Sequence, residues 1–419
     1  MNQSKEIIKQ AITIGASKFV ALSMPFADIV ILSKLSKSQN SLADYVFSTQ
    51  IIQVFVVLCL ALSVGIPIFY NQSKEKENSI SLCMGYSFFL GFIIFSLSLI
   101  LLYLLSFISP LTLTQQLTYI YLSFGILFLP AYIIFSHVLD TMGKSNKVFN
   151  ITIIFAISNL ILNLIFVLGS EMQNQVAVAL TTTLIRCFGA FLFLYIVFKE
   201  LSKKYIKPKF DRKNFIQIGS FGISDAATSL LFATSFAALT YYLSINSTDE
   251  MVATYGILLN FINIIFVIYI GLSSSISINL SKINSEDKEE IKKSNDKYWN
   301  KFIIKFCLLV GFIIFILIPI FSWLYFGHIK STTITIMSIA LLVALFDGMN
   351  ISIISKLRVL GFKKYPPLFR MSLVFIGMPV GILLLKYFDI SGIFIAFAFA
   401  NFLALVMLLA YDKYKIPKN

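Results

Sequence analysis

Residues Tyr86–Leu105 read YSFFLGFIIFSLSLILLYLL, twenty positions without a single charge. As a helix rising 1.5 Å per residue this run covers about 30 Å, the thickness of a bilayer's hydrocarbon core. In lipid the backbone finds no water, so such a run must be helical to satisfy its own peptide groups. Similar runs recur to either side, and they predict spans at approximately 10–32, 42–70, 79–107, 117–136, 148–168, 175–198, 215–243, 252–280, 303–326, 332–354, 370–386 and 391–411. Hydrophobic residues make up 58% of the 419 and the mean hydropathy is +0.86, against roughly 45–50% apolar in a soluble domain. The fold class expected is an all-α integral membrane protein with twelve transmembrane helices.

The net charge of +14 could suggest nucleic acid, but its placement argues otherwise. About 28 of the 34 Lys and Arg residues fall at the termini and in alternate loops. The opposite loops hold only Lys34, Lys37, Lys330 and Lys386. This positive-inside bias puts both termini in the cytoplasm, and an even number of spans agrees. The basic segments Lys199–Lys213, Lys282–Lys305 and Lys356–Arg370 are read as topology signals touching anionic lipid, with no nucleic-acid partner. No cleavable signal peptide is read, because the first span is too long for a signal core. Compact loops suggest the plasma membrane of a bacterium, its inner membrane. Cys59, Cys83, Cys187 and Cys307 all fall in spans without metal-ligand spacing and are read as small apolar fillers. With two histidines, His137 and His328, near span ends, neither a zinc site nor histidine-based catalysis is expected. The protein is therefore read as no enzyme.

The long basic loop at the midpoint divides the chain into an amino-terminal lobe (1–200, spans 1–6), a cytoplasmic linker (201–214) and a carboxy-terminal lobe (215–419, spans 7–12). The halves repeat weakly. Leu42–Lys74 carries a Tyr, Gln50 and Gln53, a long apolar run and a closing Asn-x-Ser-Lys. Met251–Lys282 repeats the order with Tyr255, Asn260, Asn263 and Asn-Leu-Ser-Lys. The turns Thr141-Met-Gly-Lys144 and Val359-Leu-Gly-Phe-Lys363 occupy equivalent places. Six spans per half make the repeat parallel, so the lobes are expected to be related by a pseudo-two-fold axis along the membrane normal.

Three carboxylates interrupt the spans: Asp28 in span 1, Asp225 in span 7 and Asp347 in span 10. Each costs about 2.5–3.5 kcal/mol in mid-bilayer and needs a reason, either a structural ion pair or a coupling-ion or substrate site. Pro25, three residues before Asp28, is expected to kink the helix and serve as a hinge. Asn159 and Asn163 are four apart on one face of span 5, fit for interhelical hydrogen bonds or a site. Thr181-Thr182-Thr183 back-bonds its own helix or offers hydroxyls to a cation, and Arg186 is a candidate counter-ion. Aligning Thr13-Ile-Gly-Ala-Ser-Lys18 with Ser220-Phe-Gly-Ile-Ser-Asp225 suggests that Lys18 and Asp225 pair as an inner gate. The alternative is that Lys18 snorkels to the headgroups.

These fragments resemble the MATE (multidrug and toxic compound extrusion) transporters of the MOP flippase superfamily. They are Phe26-Ala-Asp28-Ile-Val-Ile in span 1, Ile157-Ser-Asn159-Leu-Ile-Leu-Asn163 in span 5 and Ala179-Leu-Thr-Thr182-Thr-Leu with Arg186 in span 6. Span 10 adds Leu345-Phe-Asp347-Gly-Met, and Ile376-Gly-Met-Pro379-Val-Gly-Ile follows in span 11. The resemblance implies two six-helix lobes about a central cleft. It implies a coupling-ion site at Asp28, Asn159, Asn163 and Thr182, and a carboxy-terminal acidic or substrate site at Asp347; Asp225 is added to that site as the acid of span 7, two turns from where some members carry theirs. Where some members carry a glutamate in span 7 this chain aligns Phe232, and Asn163 stands where some have aspartate. The function implied is export of organic, preferentially cationic, compounds by proton or sodium antiport. No cofactor is expected beyond that ion, and no metal beyond Na+. The expected state is a monomer whose partners are a small-molecule substrate and membrane lipid. The alternative is a flippase for a lipid-linked polysaccharide precursor.

Overall fold

The computed structural model describes residues 2–35, 39–108, 111–169, 171–201, 206–247, 249–282, 296–326 and 328–415. Among these residues there is no strand. The helices are α1 (Asn2–Leu35), α2 (Gln39–Leu62), α3 (Ile66–Gln72), α4 (Lys76–Ile108), α5 (Leu113–Thr141), α6 (Ser145–Gly169) and α7 (Asn174–Glu200). After them come α8 (Arg212–Ser220), α9 (Ile223–Asn246), α10 (Asp249–Lys282), α11 (Asp296–Phe326), α12 (Ser331–Val359), α13 (Tyr365–Phe369), a π-helical turn (Leu373–Gly377) and α14 (Met378–Lys415).

Ten stretches among the described residues are long and apolar enough to cross a membrane. The last of them, Tyr365–Tyr414, runs for 50 residues and carries two crossings. Gly377 lies against Phe397 and Ala400, Gly381 against Ile393 and Ala396, and Gly392 against Leu384. Partner numbers fall on one side as they rise on the other, which marks two antiparallel helices. They meet at Asp389 (φ 50°, ψ −147°), the one non-glycine residue with positive φ among the described residues. With α1 as a further span, the twelve expected helices are accounted for. Their outer faces are apolar: Phe92 is 66% exposed, Leu168 70% and Phe107 72%. Water would penalise such a surface, and lipid does not.

Two compact units divide the chain. The amino-terminal unit is 16–226, and the carboxy-terminal unit is 227–419 together with 1–15. The described residues 206–214, within the segment read as a linker, pack onto the amino-terminal unit. Lys209 N donates to Ser81 O at 3.0 Å, Phe215 stacks edge-on to Tyr86, and Asp211 caps α8 by accepting from the Lys213 amide at 2.9 Å. The first fifteen residues join the other unit because Gly271 lets α10 approach Ala11 and Gly15 too closely for any side chain. There Asn279 Nδ2 donates to Gln10 Oε1 at 2.8 Å.

The internal repeat is visible in the turns. Lys144 N bonds to Leu139 O and Gly143 N to Asp140 O; Phe362 N bonds to Leu357 O and Gly361 N to Arg358 O. Both helices, α5 and α12, therefore end in the same glycine-centred cap, with φ +78° at Gly143 and +97° at Gly361. The cap answers carbonyls that the helix end leaves without partners.

Sequence counting assigned Lys356 to the cytoplasmic charge belt, and the structure corrects this. Lys356 and Asp412 are each 1% exposed and 2.6 Å apart. Asn300 closes the cluster, donating to Asp412 at 2.6 Å and accepting from Lys356 at 2.9 Å. The pair ties α11, α12 and α14 together. Replacing Lys356 by Met alone strands a buried carboxylate and is expected to cost about 3–5 kcal/mol. Lys356→Met with Asp412→Leu should recover most of that loss. Melting temperatures of the detergent-purified variants test this, and a single variant that melts like wild type refutes it.

Candidate functional site

Asp28 on α1 is fully buried and receives four hydrogen bonds from three other helices. Asn159 and Asn163, one turn apart on α6, donate their amides to Oδ1 at 2.7 and 2.6 Å. Tyr45 on α2 and Thr182 on α7 donate their hydroxyls to Oδ2 at 2.8 and 3.1 Å. A carboxylate offers about four lone-pair sites, and all four are used. The two oxygens are not equivalent. Oδ1 faces amide N–H groups, which only donate. Oδ2 faces hydroxyls, which accept as readily as they donate, so Oδ2 can take a proton without stranding either neighbour.

Two further polar atoms adjoin this cluster. Asn163 Oδ1 is buried with no partner, an acceptor left over beside a carboxylate. Arg186 on α7 has a buried Nη1 without a partner, and its charge is felt by Tyr45 and Asp28. Gly125 makes room for it, since a Cβ there would stand 3.1 Å from Arg186 Cδ. The arginine offsets the negative charge without binding to it. The site therefore combines one carboxylate, two hydroxyl oxygens and one spare amide oxygen, a donor set suited to a proton or a small hard cation.

No protein-family model matches the chain, and no curated protein does. Solved structures do. An outward-facing multidrug resistance MATE family transporter of the MOP superfamily aligns with a TM-score of 0.82 at 15% identity, over 99% of this chain and 96% of that one. A MATE structure in a bent conformation gives 0.80 at 16% identity, over 98% and 95%. A MOP superfamily transporter from Pyrococcus furiosus, described as having a binding pocket of reverse polarity that suggests a different function, gives 0.80 at 15%, over 99% and 96%. The chain has the MATE fold.

Within that fold the remaining predicted residues are dispersed. Lys18 lies 3.2 Å from His137 Nε2 and within electrostatic reach of Asp140, all three inside the amino-terminal unit. Asp225 sits in the first turn of α9, half-buried. Pro25 lies within α1, which is helical on both sides of it. Asp347 on α12 forms a two-pronged ion pair, Arg370 Nε to Oδ1 and Nη2 to Oδ2, both at 2.8 Å. Arg370 had been counted with the loop cations; it belongs to the carboxy-terminal unit's interior. Its guanidinium lies over the rings of Phe232 at 5.1 Å and Phe266 at 5.8 Å.

Sequence reasoning missed Tyr45, although the paired tyrosines of the repeat, Tyr45 and Tyr255, were a signal. It also missed Asp140 and Asp412, which are 3% and 1% exposed, because they lie just past the ends of the predicted spans 117–136 and 391–411. Tyr45→Phe removes one of Asp28's four donors and should lower stability by about 1–3 kcal/mol. In an Asp28→Asn background the same change should cost less than half as much. Equal costs in the two backgrounds, measured by thermal melting, would mean the bond contributes nothing.

Proposed function

We propose that this chain is a secondary active transporter that exports organic compounds by proton or sodium antiport through alternating access. Asp28, buried and bonded by four donors on three helices, carries this reading. The multidrug resistance transporter with which it shares a fold supports it. With a proton on Oδ2, Tyr45 or Thr182 turns its hydroxyl to accept, and the net pull of α2 and α7 on α1 weakens. With sodium, Oδ2, the two hydroxyl oxygens and Asn163 Oδ1 supply the ligands instead. Either cation neutralises Asp28 and shifts the balance between two arrangements of α1, with Pro25 as the proposed hinge. Lys18 and Asp225 remain the proposed inner gate. The reading further places the protein in a bacterial inner membrane as a monomer with both termini cytoplasmic, and assigns it no enzymatic activity.

Three acids in the spans, Asp28, Asp225 and Asp347, set against Lys18 and Arg186, favour cationic cargo. Arg370 on Asp347 and the buried Lys356 and Arg358 weaken that count, so cargo of both signs enters the test. The rival flippase would need a basic cradle for pyrophosphate, whereas the amino-terminal site centres on an acid.

Proteoliposomes holding a pH or sodium gradient should lose it on addition of a transported organic compound, and only with the ion that is coupled. Asp28→Asn should abolish the effect while the protein stays folded. Flux that persists undiminished in Asp28→Asn would sink the coupling role. For the gate, Lys18→Asp with Asp225→Lys should restore more transport than either single variant; a double variant no better than the singles removes the pair from the mechanism.

A further inference from the structure

Among the described residues the carboxy-terminal unit holds two ion pairs of different kinds. Lys356–Asp412 is closed to solvent, with both side chains 1% exposed and Asn300 bonded to both partners. Arg370–Asp347 is open, at 13% and 15%. Asp347 grips the guanidinium from the side, through Nε and Nη2. Of the five N–H groups of an arginine this engages two and leaves the Nη1–Nη2 edge, a second fork of parallel donors. No hydrogen bond to Nη1 is formed among the described residues.

The surroundings favour a ligand there. Arg370 sits where the backbone is irregular, between α13 and the π-helical turn, with Arg370 N on Pro367 O at 3.2 Å and Leu373 N on Arg370 O at 3.1 Å. Irregular backbone at membrane depth is tolerated where it is buried in protein or lines a wet cavity, and π-turns often mark functional sites. Arg358, 5% exposed, adds a second positive charge within electrostatic reach of Arg370. Phe232 and Phe266 flank the guanidinium with apolar faces. One turn from Phe266 on α10, Asn263 is exposed, as is Asn260. Amides turned to lipid would be costly, so this face meets water or cargo.

We propose that the open edge of Arg370 is the anion-binding site of the carboxy-terminal unit, and that its ligand is an organic anion with a planar apolar body. The two oxygens of a carboxylate or sulfonate match the free fork, and the rings of Phe232 and Phe266 receive the apolar part. This rests on the reading of the chain as an exporter of organic compounds, and it names the group by which cargo is held.

The test is equilibrium binding of tritiated 2-naphthoate to the full-length protein in phosphatidylcholine nanodiscs, with no gradient imposed. Unlabelled 2-naphthoate should displace it roughly ten-fold better than 2-naphthamide, the neutral isostere. Asp347→Asn removes the competing carboxylate and should tighten naphthoate about five-fold. Arg370→Gln with Asp347→Asn, neutral throughout, should erase the preference for the acid over the amide. Equal displacement by acid and amide, stronger displacement by 2-naphthylmethylammonium, or weaker binding in Asp347→Asn would each overturn the proposal. If the double variant does not fold, Asp347→Asn decides. Loss of naphthoate binding in phosphatidylglycerol nanodiscs would overturn it in favour of a lipid headgroup. Failure of gradient-coupled export with naphthoate selectivity intact would sink the exporter reading alone.

Discussion

The carboxylate of Asp28 and its four donors organise the amino-terminal unit. An ionised group inside lipid has no solvent to fall back on, so its lone pairs must be answered by protein. Answering them takes side chains from α2, α6 and α7 at once. The other polar contacts of these helices are single bonds, such as Ser17 with Thr152 and Thr183 with Tyr121 O. A single polar centre therefore fixes depth and rotation for four helices, which apolar packing between lipid-bathed helices would leave loosely defined. Arg186, buried against Gly125 and close to the same centre, keeps the cluster near neutrality.

The two units share a skeleton and differ in chemistry. Matching glycine caps end α5 and α12, and Tyr45 and Tyr255 hold matching places, each 1% exposed. Tyr45 meets an acid. Tyr255 Oη has no partner among the described residues, and the only carboxylate of α9 is Asp225 at its start. In the carboxy-terminal unit the acid on α12 is answered by an arginine instead of neutral donors. Neutral donors leave an acid free to take up a cation; a guanidinium already supplies one. The two centres thus differ in chemistry: one acid is held by neutral donors, the other by a fixed positive charge.

Much of this was legible in the sequence, for identifiable reasons. Lipid permits so few backbone solutions that uncharged runs fix the spans, and Gly143 and Gly361 mark the repeated turns because a left-handed cap requires glycine. Asp28, Asn159, Asn163 and Thr182 stood out as rare polar residues in apolar surroundings, and the structure brings them together. What failed was the treatment of charge near span ends. Composition cannot tell a lysine that snorkels from one that turns inward, so Lys356 and Arg370 were counted as topology signals. Asp140 and Asp412 were set aside by the same reasoning. Tyr45 escaped because an aromatic in a span reads as packing; only its hydroxyl's direction reveals otherwise. The fold of the first helix was also unforeseeable in one respect. Its first fifteen residues pack with the carboxy-terminal unit through Gly271, a contact far apart in sequence.

The hairpin that turns at Asp389 also bears on how the protein is made. Two hydrophobic segments joined by almost no loop cannot be handed to the bilayer one after the other with a stable intermediate between them, because the turn offers no slack to wait at the far surface. A turn this short favours entry of the two segments as one hairpin, with Lys386 and Asp389 at its tip. The partner that shields each helix during insertion is the one it keeps in the folded protein, through Gly377, Gly381 and Gly392.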